Sequence, residues 1–270
     1  MKILLIADVH NKPNGDVKTL ENIKNCIQSA RPDLVVFLGD TVHGPDVNDG
    51  RYEHYLRQVL DTTGDTPFAT VFGNHDDECD MTKEAILQIQ QTYPNCMTKG
   101  TDYVLEMCGE TLVFIDSGAY YQGKESLYDV VKPQQISWAK EQIKGKKAIV
   151  FQHIIVPDIF DVISQSILWS RGAVFAKGKW CRFKKGVAYT GTLGERPCPP
   201  DISTNQLTQL APNLKAMVFG HDHKNDFEVN LMGVKLIQCA GCGSNSYDAK
   251  NPSSVKLLDT KTLTTKQIFL

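Results

Sequence analysis

Three short runs, Ile-Leu-Leu-Ile-Ala at 3–7, Leu-Val-Val-Phe-Leu at 34–38 and Phe-Ala-Thr-Val-Phe at 68–72, carry no charge at any position. An uninterrupted apolar run of this length is the pattern of a strand buried on both faces. Amphipathic stretches separate the runs. Asp16 is placed to cap a helix that carries Val17, Leu20, Ile23 and Ile27 on one stripe. Tyr52, Tyr55, Leu56, Val59 and Leu60 mark a second helix, and 81–91 a third. A β-α-β-α-β order requires parallel pairing with right-handed crossovers, so the first half predicts an α/β domain.

The texture then changes. Segments 103–107 and 111–115 form a predicted hairpin through Cys108-Gly109-Glu110. A short helix is expected behind Pro133, with buried strands at 147–151 and 215–219. Strands at 227–230 and 234–238 flank a Met232-Gly233 turn, and the last two are expected at 254–258 and 264–269. Two sheets in one domain, with helices on the outer faces, fit this order, and 270 residues suffice for one large core. The stretch 157–200 stands apart. It mixes Arg171, Lys177, Lys179, Arg182, Lys184 and Lys185 with Trp169, Phe175, Trp180 and Phe183, and it reads as a long irregular excursion, either a lid or solvated surface.

A formal net charge of -2 gives no global attraction to nucleic acid or to an anionic membrane, although a local basic patch stays open. The apolar start is too short for a signal-peptide core, and no stretch is long and apolar enough to span a bilayer. The expected location is therefore cytoplasmic, with the eight cysteines reduced. Cys239 and Cys242 form a lone CxxC with no second pair to complete a zinc site, which favours a structural role.

Five motifs carry the chemistry: Asp8-Val9-His10, Gly39-Asp40, Gly73-Asn74-His75-Asp76, His153 and Gly220-His221-Asp222-His223. Each directly follows a predicted strand, where an α/β sheet presents its functional loops. Taken singly, a strand-end Asp is a helix cap and a His is a satisfied structural group. Their coincidence decides otherwise. Five of the seven histidines fall in these motifs, leaving only His43 and His54 elsewhere. Desolvating that many ionisable groups needs a compensating charge, which a metal supplies. Oxygen and imidazole donors without thiolate suit Mn, Fe or Zn at exchangeable catalytic sites. A carboxylate can bridge two ions through its two oxygens. Ions about 3.5–4 Å apart clamp the attacking and leaving oxygens of an in-line displacement, with a bridging hydroxide as nucleophile.

In this order D-x-H, G-D, G-N-H-D, H and G-H-x-H resemble the calcineurin-like metallophosphoesterase family, over most of the chain. The resemblance implies a four-layer αββα sandwich with two mixed central sheets. It implies that Asp8, His10, Asp40 and His223 hold one metal, that Asn74, His153 and His221 complete a second, and that Asp40 bridges. His75 would bind no metal. It would protonate the leaving alkoxide or contact the phosphoryl group, with a carboxylate such as Asp76 or one from the Asp40 loop as its partner. Purple acid phosphatases carry a tyrosine three residues after the Gly-Asp aspartate, where this chain has His43, and they lack the histidine present here as His10. A cytosolic subgroup related to them but lacking the tyrosine is the nearer likeness.

The expected reaction is hydrolysis of a small-molecule or peptide phosphate ester, a monoester in the first instance. A phosphodiesterase, including one for cyclic nucleotides, is the alternative enzyme, and a non-catalytic interaction module on the same fold the alternative class. His43, Arg51, Lys184 and Lys185 are the candidate substrate contacts, each with a solvated surface role as its competing reading. The oligomeric state is left open.

Overall fold

The computed structural model describes residues 1–15, 17–47, 50–243 and 253–270. The expected cap Asp16 lies outside them. In chain order the elements are β1 (Lys2–Ile6), α1 (Val17–Ala30), β2 (Leu34–Leu38), α2 (Tyr52–Leu60), β3 (Phe68–Val71), α3 (Lys83–Gln91), β4 (Tyr103–Met107), β5 (Glu110–Phe114), α4 (Pro133–Gln142) and β6 (Ala148–Phe151). Then come β7 (Ile163–Ser166), β8 (Val174–Ala176), β9 (Lys179–Phe183), β10 (Tyr189–Thr192), α5 (Gln206–Leu210), β11 (Leu214–Phe219), β12 (Asp226–Leu231), β13 (Val234–Gln238), β14 (Ser254–Asp259) and β15 (Thr264–Phe269).

Two mixed sheets are stacked face to face. One has the order β15-β14-β1-β2-β3, the other β10-β12-β13-β11-β6-β5-β4. The period-two alternation of strand side chains builds the layers. Ile3, Leu5, Leu34, Val36 and Leu38 point inward to meet Leu112, Phe114, Ile149, Phe151, Ala216 and Val218 of the other sheet. The intervening Leu4, Ile6, Val35 and Phe37 point outward and pack on Ile23 and Ile27 of α1, Leu56 and Val59 of α2, and Ile86 of α3. Val113, Val150 and Met217 pack likewise on Ile136 of α4 and Leu207 of α5. The result is the four-layer αββα sandwich, in a single domain.

The β1, β2 and β3 strands pair in parallel, as the alternation with helices requires. Both expected turns form tight hairpins, with left-handed residues at Cys108-Gly109 (φ 53°, 77°) and Met232-Gly233 (φ 54°, 77°). Paired positive φ values fit the right-handed twist of the flanking strands. The stretch 157–200 departs from expectation. It is ordered as a three-stranded antiparallel sheet, β7-β9-β8, followed by β10 at the edge of the larger sheet. Among the described residues no helix is long and apolar enough to cross a membrane.

Candidate metal centre

Four of the expected ligands sit in the left-handed region: Asp8 (φ 52°), His10 (48°), Asp40 (50°) and His221 (73°). Non-glycine residues enter it at a cost, and such strain gathers at functional sites. Here it turns the chain sharply at the ends of β1, β2 and β11, so that side chains leaving three strands face one another. Gly39 (φ 89°) is needed for close approach, because a Cβ there would stand 2.5 Å from His153 Nδ1.

The donor atoms converge in two sets. Asp8, His10, Asp40 and His223 form one, and Asp40, His153 and His221 the other, with the donors of each set within 4.8 Å of one another. In the first, His10 Nε2 lies 3.1 Å from His223 Nε2, 3.6 Å from Asp40 Oδ2 and 3.8 Å from Asp8 Oδ1, while His223 Nε2 is 3.2 Å from Asp8 Oδ1. In the second, His153 Nε2 is 3.3 Å from Asp40 Oδ2 and 3.3 Å from His221 Nδ1. A tetrahedral cation with ligands at 2.0–2.2 Å requires donor–donor edges of about 3.3–3.6 Å. The observed separations run from 3.1 to 3.8 Å and bracket that range. Asn74 Oδ1 is buried with no hydrogen-bond partner, as suits an oxygen kept for a cation.

Asp40, the expected bridge, is the residue common to both sets. Its Oδ2 belongs to both sets, while its Oδ1 accepts the His75 backbone N–H at 2.8 Å.

Neighbouring groups orient the donors. His153 Nδ1 donates to the Leu38 carbonyl at 2.6 Å, which turns Nε2 toward Asp40. Asp8 Oδ2 accepts the His221 N–H at 2.9 Å. Burial opposes ionisation of Asp8 and Asp40, yet His223 at Asp8 and His153 at Asp40 outweigh it and hold both carboxyls below the usual range. Burial lowers His153, but Asp40 overrides this and pushes it up to about 10. Burial and His153 push His221 down to about 3. The two aspartates thus draw positive charge into the space between the imidazoles.

His75 lies at the mouth, half-buried, its ring centroid 5.1 Å from His10 and 5.0 Å from His43. Its Nδ1 pairs with Glu78, which the sequence did not single out. Asp76, an expected candidate for that partner, is engaged elsewhere. Its Oδ2 accepts the N–H groups of Asp40 and Gly73, each at 2.9 Å, and its Oδ1 the Tyr52 hydroxyl at 2.8 Å. Burial and nearby Asp40 push it up to about 6.

Tyr120 and Tyr128 were also missed. Tyr120 Oη accepts from Asn74 Nδ2 at 3.1 Å, and its ring stacks on Tyr128, which meets His221 edge-on at 4.4 Å. They come from an aperiodic stretch following β5, and only that strand-end position signals them.

Of the substrate candidates, His43 stands beside His75. Its Nδ1 lies 3.2 Å from Asp46, and burial, then His10 and His75, lower its pKa. Arg51 is exposed before α2, its guanidinium 6.0 Å from the centre of the Tyr55 ring. Lys184 lines a separate cavity with Arg171 and Arg182, and Lys185 is exposed. The cage meets the 157–200 stretch through its last residues instead, where Asp222 Oδ1 accepts the Cys198 N–H at 3.0 Å and Glu195 Oε1 the Lys224 N–H at 2.8 Å.

Cys239 and Cys242 are buried free thiols whose pKa values burial raises, to about 12 for Cys239. Their loop braces the cage through its backbone: Gly241 N–H donates to the His223 carbonyl at 3.1 Å, and Gly243 N–H to that of Asp8 at 3.1 Å.

The chain is similar to several known proteins. The probable inactive purple acid phosphatase 14 of Arabidopsis thaliana is 26% identical over 262 residues, covering 86% of this chain and 64% of its own length. Phosphatase DCR2 of Saccharomyces cerevisiae is 23% identical over 252 residues, 81% of this chain and 40% of the relative. This chain therefore spans under two thirds of either relative. Among solved structures, a dimetal phosphatase from Danio rerio aligns with TM-score 0.57 at 14% identity, covering 96% of this chain and 93% of that one. A purple acid phosphatase from yellow lupin (Lupinus luteus) seeds aligns with TM-score 0.56 at 13% identity, covering 96% and 49%. At such identities these two show the shared fold. The calcineurin-like phosphoesterase profile matches residues 1–225, and the chain belongs to that family of metal-dependent phosphoesterases, which bind two metal ions.

Proposed function

We propose that this protein hydrolyses phosphate monoesters with two cations, one held by Asp8, His10, Asp40 and His223, the other by Asp40, Asn74, His153 and His221. The observation that carries this reading is the position of Asp40 Oδ2, 3.6 Å from His10 Nε2 in one set and 3.3 Å from His153 Nε2 in the other. Manganese, iron and zinc all suit these donors. Bound there, two cations supply Lewis acidity toward the phosphoryl oxygens and lower the pKa of water.

The chain's own residues do the rest. The His75 N–H fixes the rotation of Asp40 by holding Oδ1. Glu78 takes Nδ1 of His75, which orients the ring and leaves Nε2 to hold a proton for the departing ester oxygen. The Tyr120 hydroxyl takes the amide nitrogen of Asn74, so that Oδ1 is the atom left for the cation.

The names of two relatives, phosphatase DCR2 and the Danio rerio dimetal phosphatase, support the monoester preference. The word inactive in the name of the Arabidopsis relative supports the non-catalytic reading. Against that reading, both donor sets and His75 are retained here. Hydrolysis of an aryl phosphate and of a bis-aryl phosphate, compared at equal added manganese, tests the proposal. Faster turnover of the monoester is expected. A faster diester reaction would overturn the preference, and no hydrolysis of either by metal-loaded protein would favour the interaction module.

A further inference from the structure

The near-neutral total charge conceals a segregation. Between Asp161 and Glu195 the chain carries six basic residues, Arg171, Lys177, Lys179, Arg182, Lys184 and Lys185, and no acidic one. Elsewhere the balance is 23 basic to 31 acidic. Folding concentrates this excess on the small β7-β9-β8 sheet and its flanks. Among the described residues, Arg171, Lys179, Arg182, Lys184 and Lys185 have no carboxylate within 4.0 Å. Arg171, Arg182 and Lys184 line an open cavity of about 350 Å³ together with Tyr189 and Thr192.

The same sheet displays an apolar tip. Ile167, Leu168 and Trp169, consecutive in the connection from β7 to β8, are 82%, 73% and 67% exposed, and Phe175 and Tyr189 are exposed nearby in sequence. These five make up half of the ten large apolar side chains exposed among the described residues. Contiguous exposed apolar groups mark an interaction surface.

We propose that this face docks on an anionic phospholipid bilayer. Ile167, Leu168 and Trp169 enter the boundary between headgroups and acyl chains, while Arg171, Arg182 and Lys184, which share one cavity, meet the lipid phosphates. A bilayer accepts an apolar tip without a matching pocket, indole favours its interface, and juxtaposed cations add attraction to anionic lipid. Other occupants fit less well. Single-stranded nucleic acid stacks on aromatic rings, which Ile167 and Leu168 do not offer. Protein interfaces are depleted in lysine at their cores. A second copy would set one acid-free basic face against another.

Two hydrogen bonds connect the small sheet to the loop that carries His221 and His223. Lys177, in the turn between β8 and β9, donates from Nζ to Cys198 Sγ at 2.9 Å, and the Cys198 N–H donates to Asp222, between His221 and His223.

The test is co-sedimentation of the full chain with phosphatidylcholine vesicles and with vesicles containing about one-third phosphatidylserine, at physiological salt. Binding to the anionic vesicles, weakened by added salt and accompanied by a blue shift of tryptophan emission, is expected. Ile167→Ser, Leu168→Ser and Trp169→Ser combined lower partitioning by about tenfold or more, as do Arg171→Glu and Arg182→Glu combined. Thermal unfolding is unchanged in both variants, since these side chains are exposed. Absence of wild-type binding to anionic vesicles overturns the proposal, as does wild-type binding by a folded triple serine variant. Tighter retention by single-stranded RNA than by anionic vesicles, or a dimer that the serine variant abolishes, reassigns the face and likewise overturns it.

Discussion

His75 touches the metal cage twice, and the two contacts separate on substitution. Its backbone N–H positions Asp40, while its side chain, oriented by Glu78, stands at the mouth beside His10 and His43. His75→Ala keeps the first contact and removes the second. Metal content therefore stays as in the wild type while kcat falls by roughly 10²–10⁴-fold, the range for loss of a general acid. An unchanged rate would remove the imidazole from the reaction. What was legible at this scale is what is contiguous: Asp8 with His10, Asn74 with His75, His221 with His223, each pair immediately after a strand. Glu78, Tyr120 and Tyr128 were not legible. Their roles arise when a short 3₁₀ turn and an aperiodic connection are laid against the cage, and nothing in their spacing marks them. Arg51, Lys184 and Lys185 show the converse. Charge and, for Arg51, a position beyond the Gly-Asp motif suggested substrate contact, but the ring under the Arg51 guanidinium is Tyr55 and the cavity that Lys184 lines contains none of the donor residues.

At the scale of elements, strand ends are held in register by backbone donors. The N–H groups of Asp40 and Gly73 both point at Asp76 Oδ2, which locks the end of β2 to the end of β3. A side chain at Gly73 would collide with Asp40. Gly73→Ala is therefore expected to cost about 1–3 kcal/mol by overpacking and to lower metal content along with stability. Denaturant unfolding and metal analysis check this, and wild-type values in both would show that the junction tolerates a Cβ. The parallel strands were readable because burial on both faces leaves an unbroken apolar run. The small sheet was not. Ile-Ser-Gln-Ser in β7 and the three residues of β8 are too short for any alternation to show, and all four residues of β10 are exposed. Their order comes from pairing with β9 and β12.

At the scale of the molecule, two sheets must stay stacked for the strand ends to meet. Most of that hold is the apolar layer between them, which demands only apolar side chains of suitable volume at inward positions. This explains how the fold persists at 13–14% identity to solved structures. Polar ties supplement it. Lys256 of β14, 2% exposed, reaches Asp226 of β12 at 2.8 Å. Lys256→Met leaves Asp226 unpaired and is expected to cost about 3–5 kcal/mol in unfolding free energy. A loss below about 1 kcal/mol would mean that the pair adds little. Glu228 of β12 accepts from Lys235 at 2.7 Å and from Thr265 of β15. Burial raises its pKa, but these partners outweigh it and the net shift is downward. Its contribution is therefore complete above the ordinary carboxylate range and is lost as pH falls below it. Wild-type Tm should drop more in acid than that of Glu228→Gln, and parallel profiles would contradict the assignment.

All of this geometry serves one oxygen atom, Asp40 Oδ2, placed between two donor sets. Metal content per chain after loading with manganese and gel filtration, measured side by side for the wild type and Asp40→Asn, tests that most directly. The expected result is about two ions in the wild type and loss of both in the variant. Two ions retained by Asp40→Asn, or none in the wild type, would contradict it.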